Sequence, residues 1–269
     1  MEHIPAKVSD RIRAALKQFQ PILASAKARD VNESDTVVIV GDMLQAVFGY
    51  DKYSEITSEH MIRGTFCDLA IKIDGKIAFL LEAKAIGIEL KDQHVKQAVD
   101  YAANQGVEWV GLTNGAIWRL YKLHFDKPIS YDVVLEFDLL TLNPRASDAV
   151  DLIGLLAKEC WQKSIVTEYY EQRQALSRFT LGALLLTDTV IEVVRRELRR
   201  VASVKVDVEQ VRAVLQNEVL KREVLEGDKA VAATRQISRS VNKSLRKSPE
   251  DDSDKPETPA ASAAAGSPE

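Results

Sequence analysis

The chain has 269 residues, 46% hydrophobic and 28% charged, with a formal net charge of −4. That length supports one sizeable core with an appendage, and the lack of an apolar run of about 18 residues argues against a membrane span. The slightly acidic balance gives nucleic-acid binding no global support, so such a role has to rest on local charge.

Cysteine is limited to Cys67 and Cys160, with no CxxC pair. A zinc knuckle or a disulfide scaffold is therefore not expected, and a reducing cytoplasm is the expected compartment. The first residues, MEHIPAKVSDRIRAALKQ, are charged and lack the apolar core of a secretory signal. No GxxxxGK[ST] occurs, so no ATP motor is expected on this chain.

In chain order, Val8, Ile12, Leu16, Phe19 and Ile22 recur at helical spacing and predict a helix over about 6–28, with Pro21 as a kink or stop. VNESD offers capping chemistry for a second helix over about 35–48, with Val37, Val40, Met43, Leu44, Val47 and Phe48 on its apolar face and Gly49 as its stop. The period then changes. HMIRGTFCDLAIKID and KIAFLLEAKAI read as two strands joined at Asp74-Gly75, a strong hairpin signal. ELKDQHVKQAVDYAANQG reads as a helix with Val95, Ala98 and Ala102 inward, stopped by Gly106. VEWVGLTNG and AIWRLYKL read as two strands around Asn114-Gly115, and VVLEFDLL as an edge strand.

This order predicts an α/β fold, one mixed sheet flanked by helices over residues 1–145. Residues 146–247 read as an almost entirely helical extension, and Leu181 to Val194 is apolar enough to be buried in a bundle or a dimer contact. Residues 248–269, rich in Ser, Pro, Ala and Asp, predict a disordered tail. The C-terminal helices are basic, with Arg195, Arg196, Arg199 and Arg200 in one helix. They read either as a DNA-facing patch or as a solvated face with local ion pairs.

The chemistry concentrates in the first hairpin. Thirteen residues separate Asp68 from Glu82, and Lys84 follows at the end of the second strand. Two carboxylates can hold Mg²⁺, and a lysine beside them can assist attack of water on a phosphate. Register decides whether the carboxylates meet. A two-residue Asp-Gly loop pairs Asp68 with Leu81 and places the carboxylates on opposite faces. A three-residue loop, Ile73-Asp74-Gly75, pairs Asp68 with Leu80 and makes Asp68 and Glu82 same-face diagonal neighbours, which is the arrangement expected here. A twist or bend near Asp68 achieves the same end. The plainer alternative is an edge strand with a Glu–Lys pair over solvent.

FCDLAIKIDGKIAFLLEAKAIG resembles the core of the PD-(D/E)xK nucleases. Gln97 and Tyr101, four apart on the next helix, resemble the QxxxY motif of RecB-like nucleases and type I restriction subunits. TNG followed by Trp and Tyr, together with the NESDT helix entry, resembles the N-terminal nuclease domain of type I restriction R subunits, over about residues 30–125. The proline that usually precedes the aspartate is replaced by Cys67. The resemblance implies a restriction-endonuclease-like fold and Mg²⁺, or alternatively Mn²⁺, held by Asp68, Glu82 and the Ala83 carbonyl. It gives Lys84 the role of polarising the attacking water and offsetting phosphorane charge, and gives Gln97 and Tyr101 the role of bracing the site near the DNA backbone. By analogy, Glu33 is an additional acidic residue near the metal.

Arg63 is a candidate phosphate contact or an exposed strand residue, and His94 either approaches the site or lies on the surface. Trp109, Trp118 and Tyr121 read as packing residues. The implied activity is Mg²⁺-dependent cleavage of DNA to 5′-phosphate and 3′-hydroxyl ends, in a restriction or defence setting. The expected partners are DNA and either other restriction-system subunits or a second copy bound through the helices. The rivals are a non-catalytic DNA-binding or assembly subunit, and a repair or RNA nuclease of the same fold.

Overall fold

A computed structural model describes residues 4–62, 65–125 and 128–245. Arg63 and the tail at 248–269 lie outside these described residues. Helix α1 (Ala6–Ala28) buries Val8, Ile12, Leu16, Phe19 and Leu23, the three-and-four spacing of one helix face, and continues through Pro21. Helix α2 (Glu33–Ala46) begins two residues earlier than its apolar pattern predicts. Asn32 caps it, its side-chain oxygen accepting the Asp35 amide at 2.9 Å, and Glu33 and Asp35 supply negative charge to the first turn.

One six-stranded sheet follows, made of β1 (Ile56–Ile62), β2 (Thr65–Ile73), β3 (Lys76–Ala83), β4 (Trp109–Thr113), β5 (Ile117–His124) and β6 (Ser130–Asp138). The strands lie side by side in chain order. Every neighbouring pair is antiparallel except β3–β4, which is parallel and bridged by α3 (Asp92–Gln105). The expected mixed sheet flanked by helices is therefore present. The stretch from His60 to Asp74, read as one strand, is two strands: β1 turns back on β2, with His60 opposite Cys67. Both strands are rich in β-forming residues, so composition alone does not separate them.

The sheet has an apolar layer on each face. On one face Leu69, Ile71, Phe79, Leu81, Trp118 and Leu120 pack with Ile12 and Leu16 of α1 and Met43 of α2. Val150 and Ile153 of α4 (Ser147–Gly154) and Cys160 of α5 (Lys158–Gln162) complete that layer. On the other face Ala70, Leu80, Leu112 and Tyr121 meet Val95, Ala98, Tyr101 and Ala102 of α3. Each large side chain buried this way contributes about 1.5–3 kcal/mol, the reserve that offsets the burial of charged groups at the site below.

The chain divides into two compact units, Met1–Gln172 and Arg173–Glu269. The division expected after residue 145 thus falls later. Amphipathic helices read alike whether they cover a sheet or one another, and here Val150, Ile153, Cys160 and Val166 belong to the first core, the last of them from α6 (Ile165–Ala175). The second unit contains α7 (Arg178–Leu185), α8 (Asp188–Ala202), α9 (Val208–Val214), a π-helical turn (Leu215–Val219), α10 (Arg222–Leu225) and α11 (Asp228–Leu245). The almost entirely helical reading of this region holds, with breaks at Ser177, whose hydroxyl accepts the Thr180 amide at 3.1 Å, and at Thr187, which is extended. The apolar run from Leu181 to Val194, expected to be buried, is so only in part: Ile191 is fully buried, whereas Leu181, Leu184, Leu185 and Val193 are 36–47% exposed. Among the described residues no helix is long and apolar enough to cross a membrane.

Candidate active site

The β2–β3 hairpin turns on two residues. Asp74 and Gly75 both have positive φ, 50° and 77°, and Ile73 faces Lys76. Positive φ at both central positions is the type I′ geometry that Asp-Gly favours. The expected three-residue loop is therefore not what sets the register. Instead Lys72 pairs with Ile77 and Ile71 with Phe79, leaving Ala78 as an extra residue in β3. This bulge shifts the ladder by one. The last pair is Leu69 with Leu81, so the next step sets Asp68 against Glu82. The two carboxylates follow Ala70 and Leu80 on the face that α3 covers. They share a face, as directly opposed neighbours rather than diagonal ones.

The local bonding fits that placement. Asp68 Oδ2 accepts the Ala83 amide at 2.7 Å, tying the β2 carboxylate to the end of β3. Glu82 is 2% exposed, the most deeply buried ionisable carboxylate in the described core. Lys84 Nζ donates to Glu82 Oε1 at 2.6 Å and lies 3.5 Å from Glu33 Oε1 at the start of α2. Burial holds the Glu82 carboxyl above its ordinary titration, and the Asp68 charge adds to this against the opposing Lys84 hydrogen bond. Burial works to lower the Lys84 ammonium, but the Glu82 hydrogen bond and the charges of Glu82, Glu33 and Asp68 outweigh it, so Lys84 is held protonated more firmly than a free lysine. Cys67 stands beside the pair, fully buried; burial first, then the Glu82 charge, pushes its thiol up to about 12. A thiol so placed is an inert packing residue.

The helix pair divides. Tyr101 is 3% exposed and packs in the same cluster as Cys67, Ala70 and Leu80, with its phenol raised by burial. Gln97 is exposed on the same helix. His94 serves the start of α3, its Nδ1 accepting the Lys91 amide at 3.2 Å. Trp118 and Tyr121 are buried at 1% and 3% exposure and Trp109 at 7%, so all three pack as expected.

Two further residues emerge from the structure that residue chemistry alone does not single out. Thr36 of α2 is fully buried; its hydroxyl donates to Asn32 O at 2.8 Å and accepts the Ile86 amide at 3.2 Å. Asn114, 4% exposed in the β4–β5 turn, donates to Ile88 O at 2.9 Å and Ile86 O at 3.4 Å, while its oxygen accepts the Ala116 and Ile117 amides at 3.2 and 2.7 Å. The signal is present in the sequence, since the two residues belong to NESDT and TNG. What the sequence does not show is their target, the segment just after Lys84.

The donor set suits a small hard cation. Glu82 is a buried carboxylate held above its ordinary titration, with a second carboxylate close enough to repel it, and a bound cation relieves such a pair. Among the described residues no group of three His, Cys, Asp or Glu side chains gathers for a metal. Mg²⁺ needs fewer, because it keeps several waters and takes one or two carboxylates with substrate phosphate. A groove of about 380 Å³ lies elsewhere, lined by Gln18, Phe19, Ile22, Asp42 and Gln45 of α1 and α2, and includes none of these residues. Comparison with family models, with curated proteins and with solved structures finds no match to the chain.

Proposed function

We propose that the chain is a Mg²⁺-dependent DNA endonuclease with a restriction-endonuclease-like sheet, acting without a motor of its own. The observation that carries the reading is the β3 end, where Glu82 is buried, repelled by Asp68 and hydrogen-bonded by Lys84 at 2.6 Å. A buried glutamate beside a half-buried aspartate and a lysine is costly to maintain and has a use at a phosphodiester. Asp68, Glu82 and the Ala83 carbonyl are the groups that would hold the ion, with Mn²⁺ as the alternative. When bound, the ion supplies charge compensation on the scissile phosphate and lowers the pKa of coordinated water.

The chain's own residues have distinct tasks. Lys84, firmly protonated, is suited to donate hydrogen bonds to the non-bridging phosphate oxygens as negative charge grows, rather than to accept a proton. Glu82 orients the Lys84 ammonium, and Asp68 fixes the strand end through the Ala83 amide. Water adds to phosphorus as its proton passes to solvent, the P–O3′ bond breaks, the departing 3′-oxygen takes a proton from solvent, and 5′-phosphate and 3′-hydroxyl ends result. Tyr101 braces the floor beneath Cys67, while the exposed Gln97 is available to the DNA backbone.

The exposed leucines of α7 support assembly with restriction-type subunits or with a second copy as an accompanying role. The test is cleavage of supercoiled plasmid with Mg²⁺ or Mn²⁺ by the wild-type chain and Lys84→Ala. Nicking by the first and not the second supports the reading. Equal cleavage by both overturns the site, and no cleavage with either ion overturns the activity.

A further inference from the structure

The eight residues between β3 and α3 carry no ladder of their own, yet they join Glu82 and Lys84 to the helix of Gln97 and Tyr101. Backbone polar groups in such a segment need partners from outside it. The Ile88 amide donates within the segment, to Ala85 O at 2.9 Å, and four residues outside it supply further partners. The Lys84 amide donates to Thr113 O at 2.8 Å. The Ile86 amide donates to the Thr36 hydroxyl at 3.2 Å, and the Ile86 and Ile88 carbonyls accept from Asn114. Leu90 O accepts from Arg119 Nη1 at 2.9 Å. Ile86, 1% exposed, plugs the same spot with its side chain.

Thr36 and Asn114 are each polar, almost fully buried and bonded on both sides. Thr36 joins its own helix cap to the segment, and that cap sits beside Glu33, the residue 3.5 Å from Lys84. Asn114 joins the β4–β5 turn to the segment. A buried side chain that bridges two backbones fixes their separation, because neither hydrogen bond can lengthen much before both groups are left unsatisfied.

We infer that Thr36 and Asn114 are positioning residues that lock the segment after Lys84 and thereby hold the Lys84 ammonium on Glu82. The inference rests on the nuclease reading for its catalytic consequence, but not for its physical content. The exposed side of the segment, Gly87 to Glu89, carries no such ties among the described residues apart from Ile88. The lock therefore lies on the buried side, against α2 and the turn.

The test compares Thr36→Val, which keeps the shape and loses the hydroxyl, with Thr36→Ser, which keeps the hydroxyl. Asn114→Ser provides an independent second break. Amide hydrogen exchange is read at Lys84 and Ile86 against Leu120 and Leu135 in the sheet, and plasmid cleavage is read in parallel at saturating Mg²⁺. Exchange about tenfold faster at Lys84 and Ile86 alone in Thr36→Val and Asn114→Ser, near-wild-type exchange in Thr36→Ser, and a parallel loss of cleavage are expected. Unchanged exchange at Lys84 and Ile86, or a uniform increase across the sheet, overturns the lock. Selective exchange with undiminished cleavage makes the ties merely structural and overturns the positioning role. If the wild-type chain does not cleave, the nuclease reading fails, and the exchange contrast between Val and Ser decides the lock by itself.

Discussion

The end of β3 and the arginine-rich helix α8 both concentrate charge, under opposite conditions. At β3 the Glu82 side chain is 3% exposed and Lys84 14%, and the pair is bonded at 2.6 Å. On α8, Arg195 and Arg200 are 40% and 74% exposed and pair with Glu192 and Glu197 one turn back. Exposed pairs of that kind cost little to form and contribute roughly 0–1 kcal/mol. A buried charge without a partner costs several kcal/mol, so its partners have to be built in. Charge retained against its surroundings points to chemistry. Charge on a solvated helix is compatible with DNA, a protein partner or water alone, and for that reason α8 specifies far less than two residues at the end of β3.

The largest effect should come from the buried end of that comparison. Lys84→Ala should lower plasmid cleavage by about 10²–10³-fold, the loss typical of removing one preorganised donor to a developing oxyanion. Asp68→Ala and Glu82→Ala should reduce it to background. Replacing Arg195, Arg196, Arg199 and Arg200 by Gln should leave the low-salt cleavage rate within a few-fold. Rates reversed between the two sets would erase the difference between the buried and the exposed charges.

Next comes the pH dependence of metal binding. The Glu82 carboxyl titrates above its ordinary value in the folded chain, so the fold holds that proton more tightly than the unfolded chain does. The resulting contribution favours the fold below the ordinary value of 4.5 and is lost as pH rises through the folded value. On the proposed nuclease reading, the same rise ionises Glu82 and opens the site to a cation. Thermal melts should therefore show a Mg²⁺-induced rise in Tm that is larger at pH 8 than at pH 5. At tenfold excess over Kd the stabilisation is about 1.4 kcal/mol. Glu82→Gln should remove the pH dependence of that rise, and removal of Mg²⁺ with EDTA should reverse it in the wild type.

A smaller effect is expected on α8. Each side chain that ceases to neutralise a phosphate lowers the salt slope of DNA binding by about 0.9. Since two of the four arginines are already paired with glutamates, the quadruple Gln variant should flatten the slope by about two rather than four, measured by fluorescence anisotropy across a salt series. No change would leave α8 as a solvated face or a protein-binding one. The smallest effect concerns the thiols. Cys67, raised to about 12, and Cys160, raised to about 11, both first by burial, should resist a thiol reagent at pH 8 and react only on unfolding.

Much of the first unit is legible in the sequence because its signals are local. The α1 stripe, the Asp74-Gly75 turn, the Gly106 stop at φ 68° and the edge strand before Asp138 each depend on residues close in sequence. The division of that stretch into β1 and β2 and the later unit boundary are not legible, because both strands share a β-forming composition and amphipathic helices run across the boundary. In the second unit, an apolar helix over Leu181 to Val194 reads as core from composition, whereas burial depends on what is packed against it.

The sequence by itself determined the alternation of helix and strand, the turn type, and the presence of two carboxylates and a lysine close along one hairpin, since these follow from dihedral preference and spacing. Only the tertiary structure decided that Asp68 meets Glu82. A two-residue turn alone would have placed them on opposite faces, and the extra residue at Ala78 restores the shared one. The tertiary structure also brought Glu33, Thr36 and Asn114 to the segment after Lys84 and buried Tyr101 while leaving Gln97 in solvent. The physical reason is the same in each case. A hydrogen bond or a burial is a relation between groups distant along the chain, and its free energy exists only once packing has brought both groups out of water together.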